Sequence, residues 1–248
     1  MYELRGLSPP SFQRYLEPFA GSAVLFFDLL PKKGLLGDLN PEVIATYAGI
    51  RDTPDEVGRY LYSIPKTREA YYTLRSLEPV GLDNAQRAAR LIYLMKACFN
   101  GVYRTNMRGH FNVPLGNKFF ALPAWPEIKA ASRALQGVEL VCGDFGDSLA
   151  ASDEGDFIYL DPPYSDSSRF RGEYSYKGAF QAADKDRLVA ACMALTDKGV
   201  RVLLSFKECE AVCDALGGWS LKRFDVSRSV AGFAHSRRFS REILAYNY

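Results

Sequence analysis

Apolar and polar residues follow one another in a pattern that predicts strands and helices in turn. A short apolar strand from Tyr15 precedes a glycine-containing turn at residues 20–22 and an apolar helix over about 23–30. A second strand over residues 34–36 ends at Asp38. These elements predict half of a nucleotide-binding unit, because Asp38 follows the turn by close to the roughly 20 residues at which such units place a ribose-binding carboxylate.

The strand pattern resumes in the second half of the chain. Strands that alternate with helices are typical of a parallel sheet covered by helices, whereas two consecutive strands at the end predict an antiparallel hairpin. The predicted fold class is therefore α/β, with a mostly parallel sheet and a terminal antiparallel pair. The predicted strands cover residues 138–142, 156–160, 200–206, 221–226 and 241–246, and the predicted helices cover residues 185–198 and 208–216.

Residues 51–134 interrupt this pattern. Tyrosines lie there at helical spacing among charged residues, and a loop-rich stretch follows over residues 100–117. The sequence gives no sign of a parallel strand in this part. We therefore predict a mainly helical lobe over residues 51–134, inserted into a catalytic domain formed by residues 1–50 and 135–248.

The composition narrows the class of protein. The 248 residues, 48% of them hydrophobic, suffice for a substantial core, and the net charge of +2 does not by itself indicate a polyanionic partner. Two histidines, and five cysteines without a C-x-x-C pair, offer little to build a metal centre, so we expect reduced thiols and no metal. No apolar run reaches the roughly 20 residues that span a bilayer. We expect a soluble, cytoplasmic monomer without membrane contact.

The strongest chemical signal is the tetrapeptide Asp161-Pro162-Pro163-Tyr164, which directly follows a predicted apolar strand. Ligands bind at the carboxyl ends of strands in open α/β sheets. The two prolines restrict the backbone and would hold the Asp161 carboxylate and the Pro162 carbonyl rigidly. These two acceptors can meet both N–H groups of an exocyclic amine while the aromatic ring stacks on the base. The alternative is a simple turn capped by the aspartate.

Several motifs together resemble the Dam-type (D12 class) adenine-N6 DNA methyltransferase family. The likeness runs from about Tyr15 to the C-terminus. It implies a Rossmann-like, S-adenosylmethionine-dependent methyltransferase sheet and methyl transfer to N6 of adenine in double-stranded DNA. The motifs are Glu17-Pro18-Phe19-Ala20-Gly21-Ser22, Gly37-Asp38-Leu39-Asn40, Asp144-Phe145, Asp161-Pro162-Pro163-Tyr164, a segment over residues 99–116 similar to the family's DNA-contacting loop, and the closing strand over residues 242–246.

The resemblance implies S-adenosylmethionine as the cofactor. Gly21 would let the backbone approach its methionine part, Asp38 would hydrogen-bond the ribose hydroxyls, and Asp144 with Phe145 would lie near its adenine. For Asp38 and Asp144, an ordinary cap of a strand end or turn is the alternative. The implied catalytic residues are Asp161, Pro162, Pro163 and Tyr164, and the implied cofactor-binding residues are Glu17, Pro18, Phe19, Gly21, Asp38, Asn40, Asp144, Phe145 and Asp161.

The resemblance also implies a DNA-contacting segment in the inserted lobe. Arginine suits guanine and asparagine suits adenine in the major groove, and an aromatic ring can stack or wedge when the target base is flipped out. Without the resemblance, a solvated surface loop would be the more common interpretation. The family also makes GATC the first target to test. The implied DNA-binding residues are Tyr103, Arg104, Asn106, Arg108, Phe111 and Asn112.

Two departures from the family pattern leave alternatives open. The Gly-Lys-containing segment that usually precedes the first strand has no match before Tyr15, and Ala23 stands where a second glycine is common. One alternative is therefore a catalytically weak or inactive DNA-binding relative. Another is an amino-methyltransferase that acts on cytosine N4 or on RNA adenine. A role in restriction-modification, in a phage-derived element or in chromosome regulation stays open.

Overall fold

The computed structural model describes residues 2–106, 108–117, 120–163, 180–227 and 239–248. Within these residues the chain forms an α/β fold with a seven-stranded sheet. The strands are β1 (Tyr15–Glu17), β2 (Gly34–Asp38), β3 (Val138–Cys142), β4 (Phe157–Leu160), β5 (Arg201–Lys207), β6 (Ser220–Ser227) and β7 (Phe239–Tyr246).

The strand order is β3-β2-β1-β4-β5-β7-β6. Strands β1, β4 and β5 pair in parallel, with Tyr15 opposite Phe157 and Phe157 opposite Arg201. Strand β7 pairs antiparallel with both β5 and β6, with Ala245 opposite Leu204 and Leu221. The predicted α/β class, with a mostly parallel sheet and a terminal antiparallel pair, is therefore confirmed.

The central strands β4 and β5 are largely apolar and buried because both faces of the sheet are covered. All four residues of β4 are buried, and so are the five central residues of β5. Strands that are buried on both faces read as continuous hydrophobic runs and not as an alternating pattern. This property made β4 and β5 recognisable from the sequence.

The helices predicted over residues 23–30, 185–198 and 208–216 are found with shifted ends. The helix predicted from residue 185 begins at residue 182, where the Asp184 carboxylate accepts a 3.0 Å hydrogen bond from the backbone N–H of Gln181. The helices are α1 (Tyr2–Leu7), α2 (Val24–Leu29), α3 (Pro41–Asp52), α4 (Pro54–Ser63), α5 (Arg68–Ser76), α6 (Asn84–Ala97), α7 (Trp125–Ala134), α8 (Phe145–Ala150), α9 (Ala182–Asp197) and α10 (Glu210–Ala215). None of them is long and apolar enough to cross a membrane.

The described residues divide into two compact units. The first unit contains residues 2–35, 144–163, 180–227 and 239–248, and the second contains the described residues between 36 and 143. The second unit is wider than the predicted lobe of residues 51–134, because α3 packs against α6, α7 and β3. The α3–α6 approach is close, since a Cβ on Gly49 would collide with the backbone oxygen of Asn84. The assignment of residues 51–134 to DNA target recognition stays a prediction.

Candidate active site

The Asp-Pro-Pro motif follows the last residue of β4 in the first unit. Because β4 lies between the parallel strands β1 and β5, Asp161 stands at a carboxyl edge of the sheet, where ligands bind in open α/β folds. Asp161 is exposed, Pro162 is buried and Pro163 is partly buried. The motif thus combines an anchored backbone with an accessible carboxylate. Its fourth member, Tyr164, lies outside the described residues.

A buried tyrosine–glutamate pair lies on the neighbouring strand β1. The Tyr15 hydroxyl donates a 2.8 Å hydrogen bond to the carboxylate of Glu17, which is only 2% exposed. Burial, the Glu17 carboxylate and, more weakly, the charge of Asp161 raise the pKa of Tyr15 well above its ordinary value. Tyr15 therefore stays a hydrogen-bond donor near neutral pH. The sequence analysis did not select Tyr15, although side chains two residues apart on a strand share a face.

The turn after β1 leaves the backbone accessible. Gly21 has φ +46°, and a Cβ at this position would meet no heavy atom closer than 4.0 Å. Ala23 adopts the same left-handed conformation with φ 47° and begins α2 as its N-cap. Glycine adopts this conformation without steric cost, whereas alanine adopts it only at a steric cost. A ligand can approach the open backbone at Gly21.

Asp144 caps the start of α8 and also binds the side chain of Arg187. Its Oδ1 accepts a 2.8 Å hydrogen bond from the backbone N–H of Gly146 and a 2.6 Å hydrogen bond from Arg187. Burial alone would raise the pKa of Asp144, but the hydrogen bonds from Arg187 and Gly146 hold that pKa below its ordinary value. The carboxylate is therefore ionised at neutral pH. Sequence analysis missed Arg187, which lies 43 residues further along the chain.

Three phenylalanine rings cluster beside Asp144. The ring centroid of Phe145 lies 5.3 Å from Phe19 and 6.2 Å from Phe180, and those of Phe19 and Phe180 are 6.0 Å apart. Phe145 and Phe180 are almost fully buried. The cluster unites two residues predicted from the sequence with Phe180, which no sequence motif had marked. Phe19, which is only partly buried, offers the cluster's planar apolar surface to a nucleobase.

In the second unit, Asp38 and Asn40 organise the turn after β2. Asp38 Oδ1 accepts a 2.8 Å hydrogen bond from the backbone N–H of Asn40. The Asn40 side chain in turn caps α3 by accepting a 3.0 Å hydrogen bond from the N–H of Glu42. Both residues therefore have structural roles, and their predicted cofactor contacts stay predictions.

The first-unit residues fit the chemistry of S-adenosylmethionine. Glu17, Asp144 and Asp161 are carboxylates that complement a cationic ligand, and the phenylalanine cluster complements a planar base. The open backbone at Gly21 leaves room for a bound chain. Among the residues that the structure describes, no three His, Cys, Asp or Glu side chains could together hold a metal ion.

The predicted DNA-contacting segment forms a small hairpin, which we define as residues 98–116. Antiparallel bridges join Cys98 to Leu115 and Thr105 to Phe111. The Arg104 side chain donates a 2.7 Å hydrogen bond to Asn112 Oδ1 and a 3.3 Å hydrogen bond to its backbone oxygen. The two predicted DNA-binding residues Arg104 and Asn112 thus contact each other across the hairpin.

The hairpin tip depends on the side chain of Asn106. Its Oδ1 accepts hydrogen bonds of 2.9 Å and 3.1 Å from the backbone N–H groups of Arg108 and His110. Asn106 N–H donates to the His110 oxygen, and Gly109 N–H donates to the Asn106 oxygen. Arg108, by contrast, is exposed. Asn106 organises the backbone that carries Arg108.

The hairpin aromatics divide into buried and exposed ones. Phe111 is buried, and its ring packs 5.7 Å from Tyr103. Phe99, which the sequence analysis did not select, is 47% exposed and precedes Asn100, whose φ is 55°. Exposure therefore singles out Phe99, and not Phe111, as a ring available to a partner.

Helix α5 supports the hairpin from outside. The Tyr71 hydroxyl and the Arg75 guanidinium both donate to the backbone oxygen of Val113, at 2.9 Å and 3.1 Å. Arg75 also stacks on the Tyr72 ring at 4.7 Å from its centroid. These contacts fix the base of the hairpin in the second unit.

The α/β sheet, the glycine turn and the Asp-Pro-Pro edge define the class of protein, a methyltransferase. Comparison with known families then gives the particular family. Residues 5–229 match the family of D12 class N6 adenine-specific DNA methyltransferases. The chain belongs to this family and is an adenine-specific DNA methyltransferase.

Relatives from different organisms agree with this assignment. The Type II methyltransferase M1.LlaDCHI of Lactococcus lactis subsp. cremoris is 32% identical, over 98% of this chain and 89% of the relative. The Type II methyltransferase M.MjaIII of Methanocaldococcus jannaschii is 31% identical, over 80% of this chain and 75% of the relative. A DNA adenine methylase of Escherichia coli is 28% identical, over 95% of this chain and 87% of the relative.

Proposed function

We propose that the protein transfers a methyl group from S-adenosylmethionine to N6 of adenine in double-stranded DNA, with the chemistry at Asp161 and Pro162. The observation that carries the proposal is the exposed Asp161 carboxylate on an anchored backbone at the carboxyl edge of the central strand β4. The bound cofactor would supply an electrophilic methyl group.

At the target base, Asp161 and Pro162 accept the two N–H groups of the adenine amino group. Accepting both hydrogens favours tetrahedral character at N6 and exposes its lone pair, while the fixed dipoles stabilise positive charge that develops on nitrogen. Pro163 restricts the backbone beside them, and Tyr164 is proposed to stack on the base. After transfer N6 gives up one proton, which the Asp161 carboxylate that accepts from it can pass to solvent. No covalent bond between enzyme and base is needed in this scheme.

The cofactor residues support binding through shape and charge. The phenylalanine cluster would receive the adenine ring, the Gly21 backbone would contact the methionine part, and Asp38 would accept from the ribose hydroxyls. Glu17 and Asp144 add negative charge in the first unit and complement the cationic sulfonium. Pro18 is buried beside Glu17 and supports the turn. Asn40 holds the loop that follows Asp38.

The hairpin is proposed to contact DNA through its exposed side chains. Arg108 can reach a phosphate or a guanine edge, and Phe99 can occupy space left by a flipped adenine. Arg104, Asn106 and Asn112 support the hairpin, and contacts from them to DNA require that their present partners be shared or exchanged. GATC remains the first target sequence to test.

The test is methyl transfer from methyl-labelled S-adenosylmethionine to unmethylated duplex DNA. Duplexes with one GATC site are compared with scrambled duplexes and with RNA of the same sequence, and the modified nucleoside is identified after digestion. Asp161→Ala is expected to lower the rate of N6-methyladenine formation by about 10²–10³-fold, because a preorganised acceptor is lost. Asp214→Ala, at an exposed carboxylate on α10, serves as the matched control.

The outcomes separate the proposal from its alternatives. Label in N6-methyladenine that is lost with Asp161→Ala and kept with Asp214→Ala supports the proposal. Label in N4-methylcytosine or in RNA would contradict the proposed substrate. Folded protein that binds duplex DNA but labels no base would identify an inactive DNA-binding relative.

A further inference from the structure

Arg187 makes three contacts beside the predicted cofactor residues. It lies on α9, and its guanidinium contacts Asp144 at 2.6 Å and Asp184 at 2.8 Å. The same guanidinium lies over the Phe145 ring, 4.7 Å from its centroid. One side chain therefore covers an aromatic surface and also binds the neighbouring carboxylate.

The two oxygens of Asp144 are engaged unequally. Oδ1 accepts two short hydrogen bonds, from Arg187 and from the Gly146 backbone N–H. Oδ2 has a contact of 3.4 Å to the second guanidinium nitrogen of Arg187. A carboxylate oxygen has two lone pairs, so Oδ2 retains capacity to accept a further hydrogen bond. The cap and the guanidinium fork together fix the plane of the carboxylate.

We propose that Arg187 is a positioning residue that selects a 6-amino purine in the cofactor. It holds Asp144 ionised and oriented so that Oδ2 accepts the adenine amino group. It also covers Phe145, one of the rings that would contact the purine. This inference rests on the proposed cofactor site and adds its nucleobase selectivity.

The selectivity follows from hydrogen-bond polarity. An ionised carboxylate accepts hydrogen bonds but cannot donate them. Adenine offers a donor amino group at position 6, whereas hypoxanthine offers a carbonyl oxygen there, which would face the carboxylate without a proton between them. Once a bound purine covers Asp144, an acceptor left facing the 6-oxo group without a donor is costly, so the 6-oxo purine is disfavoured.

The experiment measures binding of two nucleosides that cannot be turned over. Calorimetric dissociation constants are determined for S-adenosylhomocysteine and for S-inosylhomocysteine, which differ at purine position 6. The proteins are wild type, Arg187→Met, Arg187→Lys and the control Lys185→Met on the same helix. The wild type is expected to bind the adenosyl compound at least about tenfold more tightly, as for sites built around one polar contact.

The variants are expected to separate orientation from charge. Arg187→Met keeps an apolar cover on Phe145 but releases Asp144. The dissociation constant for S-adenosylhomocysteine is therefore expected to rise about tenfold, and the preference for it over S-inosylhomocysteine to shrink by a similar factor. Arg187→Lys restores charge without the planar fork and recovers part of the preference. Lys185→Met retains the wild-type preference. Circular dichroism and thermal unfolding verify that each variant is folded.

Two results would overturn the inference in distinguishable ways. If folded Arg187→Met keeps the wild-type ratio of the two dissociation constants, Arg187 does not position the nucleobase contact, although the proposed cofactor site stands. If wild type and Lys185→Met bind neither nucleoside, the proposed cofactor site itself is wrong, and the role of Arg187 fails with it.

Discussion

The carboxyl edge of the sheet in the first unit and the hairpin in the second unit hold their functional side chains by different means. At the sheet edge, backbone pairing of β4 with β1 and β5 fixes the position of Asp161, whose side chain is exposed. In the hairpin, the side chains of Asn106, Arg104 and Asn112 add hydrogen bonds to the backbone bridges that close the loop.

The sheet edge and the hairpin differ in whether the same residues serve both the local fold and the proposed function. At the sheet edge, apolar strand residues build the scaffold, and the acid that follows them is exposed. In the hairpin, the polar residues that could contact DNA also maintain the local fold. A substitution in the hairpin therefore affects structure and recognition together unless it changes an exposed side chain such as Arg108.

Among the variants that compare the two regions, the largest effect is expected for Arg108→Ala, which tests whether the two hairpin roles can be separated. Because Arg108 is exposed and its backbone is held by Asn106, the variant should keep the hairpin and lose DNA contact. The dissociation constant for duplex DNA is expected to rise about 10–100-fold. Fluorescence anisotropy at fixed salt measures it, with Arg133→Ala on α7 as the control. Unchanged affinity would remove Arg108 from the DNA interface.

A smaller, local effect is expected for Asn106→Ala. Loss of its side-chain oxygen leaves two backbone N–H groups at the tip without their acceptor. Hydrogen exchange at Arg108 and His110 is expected to accelerate about tenfold, with little change elsewhere, because each such bond contributes about 1 kcal/mol. Exchange measured by NMR tests this, and equal rates in both proteins would show that the tip is held by other contacts.

Tyr15→Phe tests the scaffold beneath the sheet edge. The buried Glu17 carboxylate loses a hydrogen-bond donor, so the free energy of unfolding at neutral pH is expected to fall by about 1–3 kcal/mol. Urea unfolding measures the change. Tyr248→Phe, which removes the hydrogen bond from the Tyr248 hydroxyl to the Leu7 backbone oxygen, is the matched control and should cost less.

The same variant is also expected to change how the free energy of unfolding depends on pH. Because the pKa of Tyr15 is raised in the folded protein, its contribution to stability is fully present below the unfolded value of about 10 and is lost as pH rises above it. Wild type should therefore lose stability more steeply than Tyr15→Phe above about pH 10. Parallel pH profiles of the two proteins would contradict the assignment.

The smallest effect is expected at the end of α2. Leu30 has φ 50° and is 60% exposed, so Leu30→Gly removes backbone strain and little apolar contact. The free energy of unfolding is expected to rise by about 0.5 kcal/mol. Relief of backbone strain raises it, and the greater freedom of glycine in the unfolded chain offsets part of that gain. Asn100→Gly in the hairpin should change stability less, since asparagine tolerates this conformation. Thermal unfolding of both variants measures the contrast.

Prediction from sequence succeeded where local pattern and chain order carry the information. Continuous apolar runs identified β4 and β5, and the position of Asp161 after β4 follows from that assignment. Helix ends were less accurate, since the start of α9 depends on a hydrogen bond from the Gln181 backbone N–H to the Asp184 side chain. The site residues chosen from the sequence stay predictions, but the structure brings Phe19, Asp144 and Phe145 into one neighbourhood with two residues that the motifs did not indicate.

The residues that sequence analysis missed were overlooked for different physical reasons. Phe180 and Arg187 reach Phe145 and Asp144 through packing between elements far apart in the chain, for which no local periodicity exists. Phe99 lay within the recognised segment, but composition alone does not tell an exposed phenylalanine from a buried one. Only Tyr15 had a local signal, its place two residues before Glu17 on the same strand.

The sequence by itself determined the succession of strands and helices and the chemical groups at the strand ends, because apolar periodicity and turn residues act over short distances. The tertiary structure alone decided that Arg187 meets Asp144 and that Phe99 is exposed while Phe111 is buried. These features arise from contacts between distant residues and from competition for burial, which depend on how the whole chain packs.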